Sequence, residues 1–173
     1  MAYLGQVIPN FAVYEDGKDY YGLASITAPN ITTLTQTQSG AGIGGNITDV
    51  VVGMLDAMEI SINFTVPDAN AFKLMEPRVH TLTIMPPIQA ENQVTRNIEL
   101  IKMKYVAMVI PTSMNLGNIA PASAADASGT FTVRRWVAFY DGEKVLEADQ
   151  LAQKFEVNGY DYLAPLRAAT GKT

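Results

Sequence analysis

The sequence predicts a mainly β, antiparallel protein, and three observations carry that expectation. Apolar residues recur with period two, Asp-Gly pairs sit between strand-like segments, and helix-favouring stretches are few. Between Leu55 and Val66, Met58, Ile60, Ile62, Phe64 and Val66 alternate with Glu59, Ser61, Asn63 and Thr65, the pattern of a strand with one buried and one wet face.

Taken in order, Phe11 to Glu15, Asp16-Gly17 and Lys18 to Ile26 read as a hairpin. Thr33 to Gln38 and Asp49 to Leu55 read as a second, joined by the small-residue tip Gly40 to Gly45. Pro67 to Met75 predicts a short helix, with Pro near its start, Asp68 in its first turn and Pro77 beyond its end. Val79 to Met85 is a short strand and Asn97 to Ile110 a long one. The small-residue stretch Pro111 to Gly129 is expected to be a strand end followed by a loop. Thr130 to Tyr140, rich in β-branched and aromatic residues, leads through Asp141-Gly142 into a returning strand, Glu143 to Glu147. Helix propensity alone favours helix over Glu147 to Phe155, and Tyr160 to Ala169 predicts a short C-terminal helix.

Composition removes several function classes. The chain has 173 residues, no Cys and one His, which excludes disulfides, thiol nucleophiles, cysteine-ligated zinc and multi-histidine metal sites. The net charge of −5 argues against a polybasic nucleic-acid binder. That charge is uneven: residues 1–72 hold seven acids and one base. The N-terminus has no basic start or long apolar run, so no signal peptide is expected. The charge-free stretch between Lys104 and Asp126 contains two prolines, two asparagines and two serines, a composition unsuited to a lipid-exposed helix. One domain over residues 1–173 is expected.

No chemical motif survives its context. Gly40, Gly42 and Gly45 match G-x-G-x-x-G, but a Thr/Gln run precedes them and a Val run follows, where a dinucleotide site needs a strand and then a helix N-terminus. His80, in alternation with Leu82 and Ile84, reads as structural, since no nucleophile elbow accompanies it. Arg134-Arg135-Trp136 with Phe139 and Tyr140 is better explained by strand packing than by base stacking. The three Asn-x-Thr sequons at Asn30, Asn46 and Asn63 reflect Thr-rich strands. No catalytic residue, cofactor or metal is expected.

An ordered set of segments does carry a resemblance. Trp136 to Asp149 joins an aromatic strand, the Asp141-Gly142 turn and the acid pair Glu147 and Asp149. Asn158-Gly159-Tyr160-Asp161-Tyr162-Leu163 follows, then Arg167 and Gly171. Towards the N-terminus stand Tyr21-Gly22, Ala28-Pro29-Asn30-Ile31-Thr32 and Ser39-Gly40-Ala41-Gly42. Together these resemble the major tail tube protein of contractile-tailed bacteriophages. The chain departs from that family in Pro111 to Gly129, where the family usually carries many charges and this sequence has only Asp126.

The resemblance implies a β-sandwich or barrel-like protomer with a flanking helix, and makes Glu147 to Val157 mostly extended. It implies a structural protein of the virion tail, assembled in the host cytoplasm as hexameric rings stacked into a hollow tube. The tube's partners would be further copies of itself, the tail sheath, tape-measure, baseplate and tail-terminator proteins, and DNA in passage, with no membrane anchor. Thr33 to Gln38 lacks the Lys or Pro that blunts edge strands, so Thr33, Thr35, Gln36, Thr37, Gly40, Gly42 and Gly45 are expected to form an inter-ring hairpin. Asp49, Asp56 and Glu59 are expected to face the bore or a ring interface, where carboxylates repel phosphates. Asn158, Gly159 and Asp161 are expected to be turn and interface residues, with Asp161 capping the last helix. The alternatives are a bacteriocin or injection-system tube with other cargo, and, in a different class, a soluble β-sandwich binding module. A hydrolase built on His80 ranks below both.

Overall fold

The computed structural model describes residues 3–15, 19–20, 25–40, 42, 44–67 and 69–171. Its first strands are β1 (Tyr3–Val7), β2 (Ala12–Glu15), β3 (Asp19–Tyr20), β4 (Ser25–Thr27), β5 (Thr33–Gln38), β6 (Ile47–Leu55) and β7 (Met58–Phe64). After helix α1 (Ala69–Lys73) come β8 (His80–Met85), β9 (Pro87–Asn92), β10 (Ile98–Asn115), β11 (Ala127–Tyr140), β12 (Glu143–Asp149), β13 (Lys154–Val157) and β14 (Tyr160–Asp161), then helix α2 (Ala164–Ala169).

The antiparallel pair β10 and β11 is the spine of a 12-stranded sheet. Each spine strand exchanges partners along its outer edge. β10 pairs with β9 over Ile98–Lys102 and with β8 over Tyr105–Val109. β11 pairs with β7 over Ala127–Val133 and with β12 over Arg135–Tyr140. Register shifts at Met108/Val109, Pro111/Ser113 and Ala138/Phe139 are bulges, which bend strands and increase twist. The sheet therefore curls over a core. Met58, Ile60, Ile62 and Phe64 of β7 pack with Leu82 and Ile84 of β8, Ala107 and Val109 of β10, and Phe131, Val133 and Trp136 of β11. Each fully buried large side chain contributes about 1.5–3 kcal/mol. Ala71 of α1 and Leu74 just beyond it add to the same cluster.

The mainly β, antiparallel expectation holds, and the structure corrects several boundaries. β10 runs through Pro111 to Asn115, so the loop before β11 is residues 116–126 only. Pro111 is accommodated because it sits at a bulge, where its missing N–H does not break the ladder. Lys18 to Ile26 is not one returning strand: β3 pairs with β2, whereas β4 crosses to β7. The expected Asp16-Gly17 turn, Tyr21-Gly22 and Asp68 lie outside the described residues. The C-terminal helix is confined to α2, because Tyr160 and Asp161 pair with β13 as β14. Glu147 to Val157 is extended as the resemblance implies, two strands and a turn: Ala148 faces Phe155 across the β12–β13 pair, and this tertiary pairing overrides helix propensity.

Candidate assembly surface

One element stands apart from the core. Among the described residues, β5 and β6 form a separate two-stranded sheet, paired only with each other. Leu34, Ile47, Val50, Val51, Val52 and Met54 of this hairpin are all exposed, Val52 at 65 %. Isolated hairpins are marginal in water, and a contiguous exposed apolar run of this kind marks an interaction surface. Thr33, Thr35, Gln36 and Thr37 lie in β5, and Gly40, Gly42 and Gly45 at the tip. A Cβ on any of these three glycines would meet open space, and Gly42 has φ +93°, which a glycine adopts without strain. Ala41 and Ile43 of the tip lie outside the described residues.

The base of this arm is firmly held. The Asp56 N–H donates to the Thr32 carbonyl at 2.9 Å, and Gln150 Nε2 donates to the Asp56 carbonyl at 2.7 Å. Gly53 has φ +73° and is pressed against Leu163, so a Cβ there would collide with the Leu163 side chain. The arm is thus anchored to the β12–β13 turn and the segment leading into α2, while its outer two thirds are solvated.

The three acids expected at a bore or interface are all exposed but do not form one patch. Asp49 lies on β6 opposite Gln36. Asp56, in the turn at the arm's base, accepts the Ala57 N–H at 2.8 Å. Glu59 stands on the outward face of β7, opposite Thr132. On that face it joins Thr27, Ser61, Asn63, Thr130 and Thr132, so a wall of hydroxyls and amides carries one carboxylate. Asn63 Nδ2 donates to Ser25 Oγ at 2.9 Å, and Thr112 and Thr132 hydroxyls lie 3.1 Å apart.

The C-terminal motif residues build two turns and two ion clusters. Asp141 and Gly142 have φ +49° and +88°, and Asn158 and Gly159 have +50° and +83°; these are the left-handed pairs that close tight hairpins. Glu147 is buried at the centre of a cationic ring. Arg135 Nη2 lies 2.6 Å from its Oε1, and Lys144 Nζ and Lys154 Nζ lie 2.8 and 2.9 Å from its Oε2. Burial pushes the Glu147 carboxyl up, but hydrogen bonds from Lys144, Lys154 and Arg135 outweigh it and bring it down to about 2. Hydrogen bonds to Glu147 and Glu156 raise Lys154 to about 12. Glu156 bridges the two lysines at 2.7 and 3.0 Å. Asp149 Oδ1 accepts the Ala152 N–H at 2.9 Å, fixing the turn after β12.

Asp161 does not cap α2 as expected; the N-cap residue is Leu163, which makes no side-chain cap bond. Asp161 instead accepts the Leu163 N–H at 3.0 Å and pairs with Arg167 at 2.6 Å. Burial opposes ionisation of Asp161, and Arg167 with the Leu163 N–H overcomes it, so its carboxyl titrates below its ordinary value. Arg167 Nη1 also donates to the Gln153 carbonyl at 2.6 Å, tying α2 to the β12–β13 turn.

Sequence reasoning missed the partners in these clusters, because Arg135, Lys144, Lys154 and Glu156 meet only through cross-strand register. It also missed Glu15, buried against His80 Nδ1 and 2.6 Å from Arg78 Nη2. His80 Nε2 donates to the Glu76 carbonyl at 3.0 Å, so both ring nitrogens are engaged in holding the 76–80 bend against β2. Trp136 is buried and stacks on Tyr105 with centroids 5.1 Å apart. It is therefore core, as strand packing requires. Among the described residues no three His, Cys, Asp or Glu side chains cluster closely enough to hold a metal, and no helix is long and apolar enough to cross a membrane.

This architecture has known counterparts. A tube chain from the PVC sheath–tube complex of an extracellular contractile injection system superposes with a TM-score of 0.56 at 16 % identity, over 78 % of this chain and 90 % of that one. The sheath/tube terminator complex of the same system gives 0.56 at 15 %, over 78 % and 96 %. The tube-terminating cap of the anti-feeding prophage gives 0.55 at 17 %, over 79 % and 93 %. No curated protein matches the chain. The family of phage tail tube protein FII matches residues 5–171, nearly the whole sequence. A curled antiparallel sheet, an exposed self-paired arm and a match of that extent lead to one conclusion: the chain belongs to the phage tail tube protein FII family, whose members are structural tube subunits.

Proposed function

We propose that this tube subunit closes into hexameric rings, and that the rings stack into the inner tube of a contractile phage tail whose lumen conducts DNA into the host. The observation that carries this reading is the β5–β6 arm: six exposed large apolar side chains on a hairpin with no core of its own gain burial only against another molecule. A head-to-tail contact that closes gives a ring, and one that repeats along an axis gives a filament. The arm serves the inter-ring contact, through Thr33, Thr35, Gln36, Thr37 and the tip around Gly40, Gly42 and Gly45. The wall bearing Glu59 faces the bore, where a carboxylate among hydroxyls repels phosphates over about 8 Å at physiological salt. Asp49 and Asp56 belong to the ring interface. The Asp141-Gly142 and Asn158-Gly159 turns, with Glu147, Asp149, Asp161 and Arg167, hold the rim that carries the arm.

Passive conduction needs no cofactor and no chemical step. The partners are other copies, the surrounding sheath, a tape-measure protein in the lumen, and baseplate and terminator proteins at the ends. The sheath, terminator and baseplate complexes in which similar folds occur support the sheath, terminator and baseplate as partners. The same structures favour a second reading, the tube of a bacteriocin or injection system, which carries protein or nothing. Negative-stain microscopy of the purified chain across a concentration series, with and without preformed tube or baseplate seeds, tests the proposal. Hollow tubes of uniform width are expected; a chain that remains monomeric even with seeds overturns it. Nuclease-protected DNA within native particles distinguishes the phage reading from the injection-system reading.

A further inference from the structure

A groove at the end of β12 away from the arm has chemistry that matches it. Where β10 changes partner from β9 to β8, Met85, Pro87, Met103 and Phe139 line an open groove of about 530 Å³. Its charged lining residues are Lys102 and Lys104, both exposed, with Lys104 Nζ 5.5 Å from the centre of the Phe139 ring. Gly142, in the turn that opens β12, closes one side.

The arm offers the complement. In residues 33–55 the one charged side chain is Asp49. Period-two alternation puts Ile47 and Val51 on the same face as Asp49, and Gln36 and Gln38, paired with Asp49 and Ile47, join them from β5. Every one of these is exposed or nearly so. That face sets an anion between Ile47 and Val51, with two glutamines beside them; the groove sets two cations beside Met85, Pro87, Met103 and Phe139.

Position agrees with chemistry. The arm is anchored by Gln150, one residue beyond the end of β12, and the groove ends at Gly142, one residue before its start. The six steps of β12 from Glu143 to Asp149 separate them by about 20 Å. Donor and acceptor at opposite ends of one strand make a heterologous contact, which repeats along an axis rather than pairing two copies face to face.

We propose that this groove receives the arm of a second copy of the chain, seating Ile47 and Val51 against Met85, Met103 and Phe139 with Asp49 between Lys102 and Lys104. This rests on the tube reading and names its inter-ring socket.

The absence of cysteine allows a direct test. Val51→Cys combined with Met103→Cys, assembled into tubes and oxidised, is expected to give a ladder of covalent multimers on a non-reducing gel; each single variant gives none beyond dimer. Val51→Cys with Met85→Cys, on the groove rim, serves if Met103→Cys disturbs folding. Charge exchange is the second measurement. Lys102→Glu/Lys104→Glu and Asp49→Lys are each expected to raise the concentration needed for assembly by roughly tenfold or more, and mixing the two is expected to restore assembly at the junctions where reversed charges meet. Wild-type tubes whose double-cysteine variants assemble but give no ladder overturn the socket and leave the tube reading standing. A wild-type chain that forms no tubes with seeds overturns the tube reading and the socket with it.

Discussion

Glu147 carries the sharpest consequence of a single side chain. Its carboxyl ionises at about 2 in the fold against an ordinary value near 4.5, so the folded state favours the charged form. The stabilisation is complete above about pH 4.5 and is lost as the pH falls towards 2. Glu147→Gln leaves Arg135, Lys144 and Lys154 facing one another around a neutral amide. It is expected to cost about 3 kcal/mol at neutral pH, with a difference from wild type that narrows towards pH 2; thermal unfolding at pH 7 and pH 3 at fixed salt checks both. Glu15 makes the same kind of contact at the other side of the sheet. Glu15→Ala strands the buried His80 and is expected to cost as much, read in the same melts. Neither cluster was legible in the sequence. Asp141-Gly142 and Asn158-Gly159 were, because the left-handed conformation of a tight hairpin is a local demand that only a few residue types meet. An ion cluster is a demand of register: Arg135 reaches Glu147 because β11 and β12 pair Val137 with Glu147, and no spacing along the chain announces that.

At the scale of elements, the arm and the body behave as separable parts. Replacing residues 34–54 by Asn-Gly, between the paired Thr33 and Leu55, removes no member of the core cluster. The shortened chain is expected to fold with a melting temperature within a few degrees of wild type and to form no tubes even with seeds; calorimetry and microscopy check the two halves of that statement. Gly53→Ala attacks the joint instead. Its positive φ and the Leu163 side chain both oppose a Cβ, so a cost of about 1–3 kcal/mol is expected, together with faster amide exchange in residues 47–55 while β10 and β11 stay protected. The arm was readable beforehand because a Thr/Gln strand, a glycine tip and a Val run are adjacent in sequence. The partner exchanges of β10 and β11 were not, since each strand reads as one uninterrupted run, and the bulges at Met108/Val109 and Ala138/Phe139 follow from which neighbours they must reach.

For the whole molecule, the proposed passage of DNA through the tube turns on the distribution of charge. Glu59 is the one carboxylate on the hydroxyl wall of β4, β7 and β11, and the proposed ring symmetry would repeat it around the bore. Glu59→Lys turns a repelling ring into an attracting one; tubes of that variant are expected to retain DNA at low salt and release it at high salt, whereas wild-type tubes retain none. Binding measured on assembled tubes checks this, and equal retention by the two would place the wall elsewhere. The anchoring of the arm at one end of β12 has a final consequence. A column built through the proposed arm–socket contact has a direction, with unsatisfied arms at one terminus and empty sockets at the other. Growth from a template then proceeds at one terminus only. A stopper protein needs to mimic only half of a subunit's contacts: a plug for the sockets or a cover for the arms, but not both.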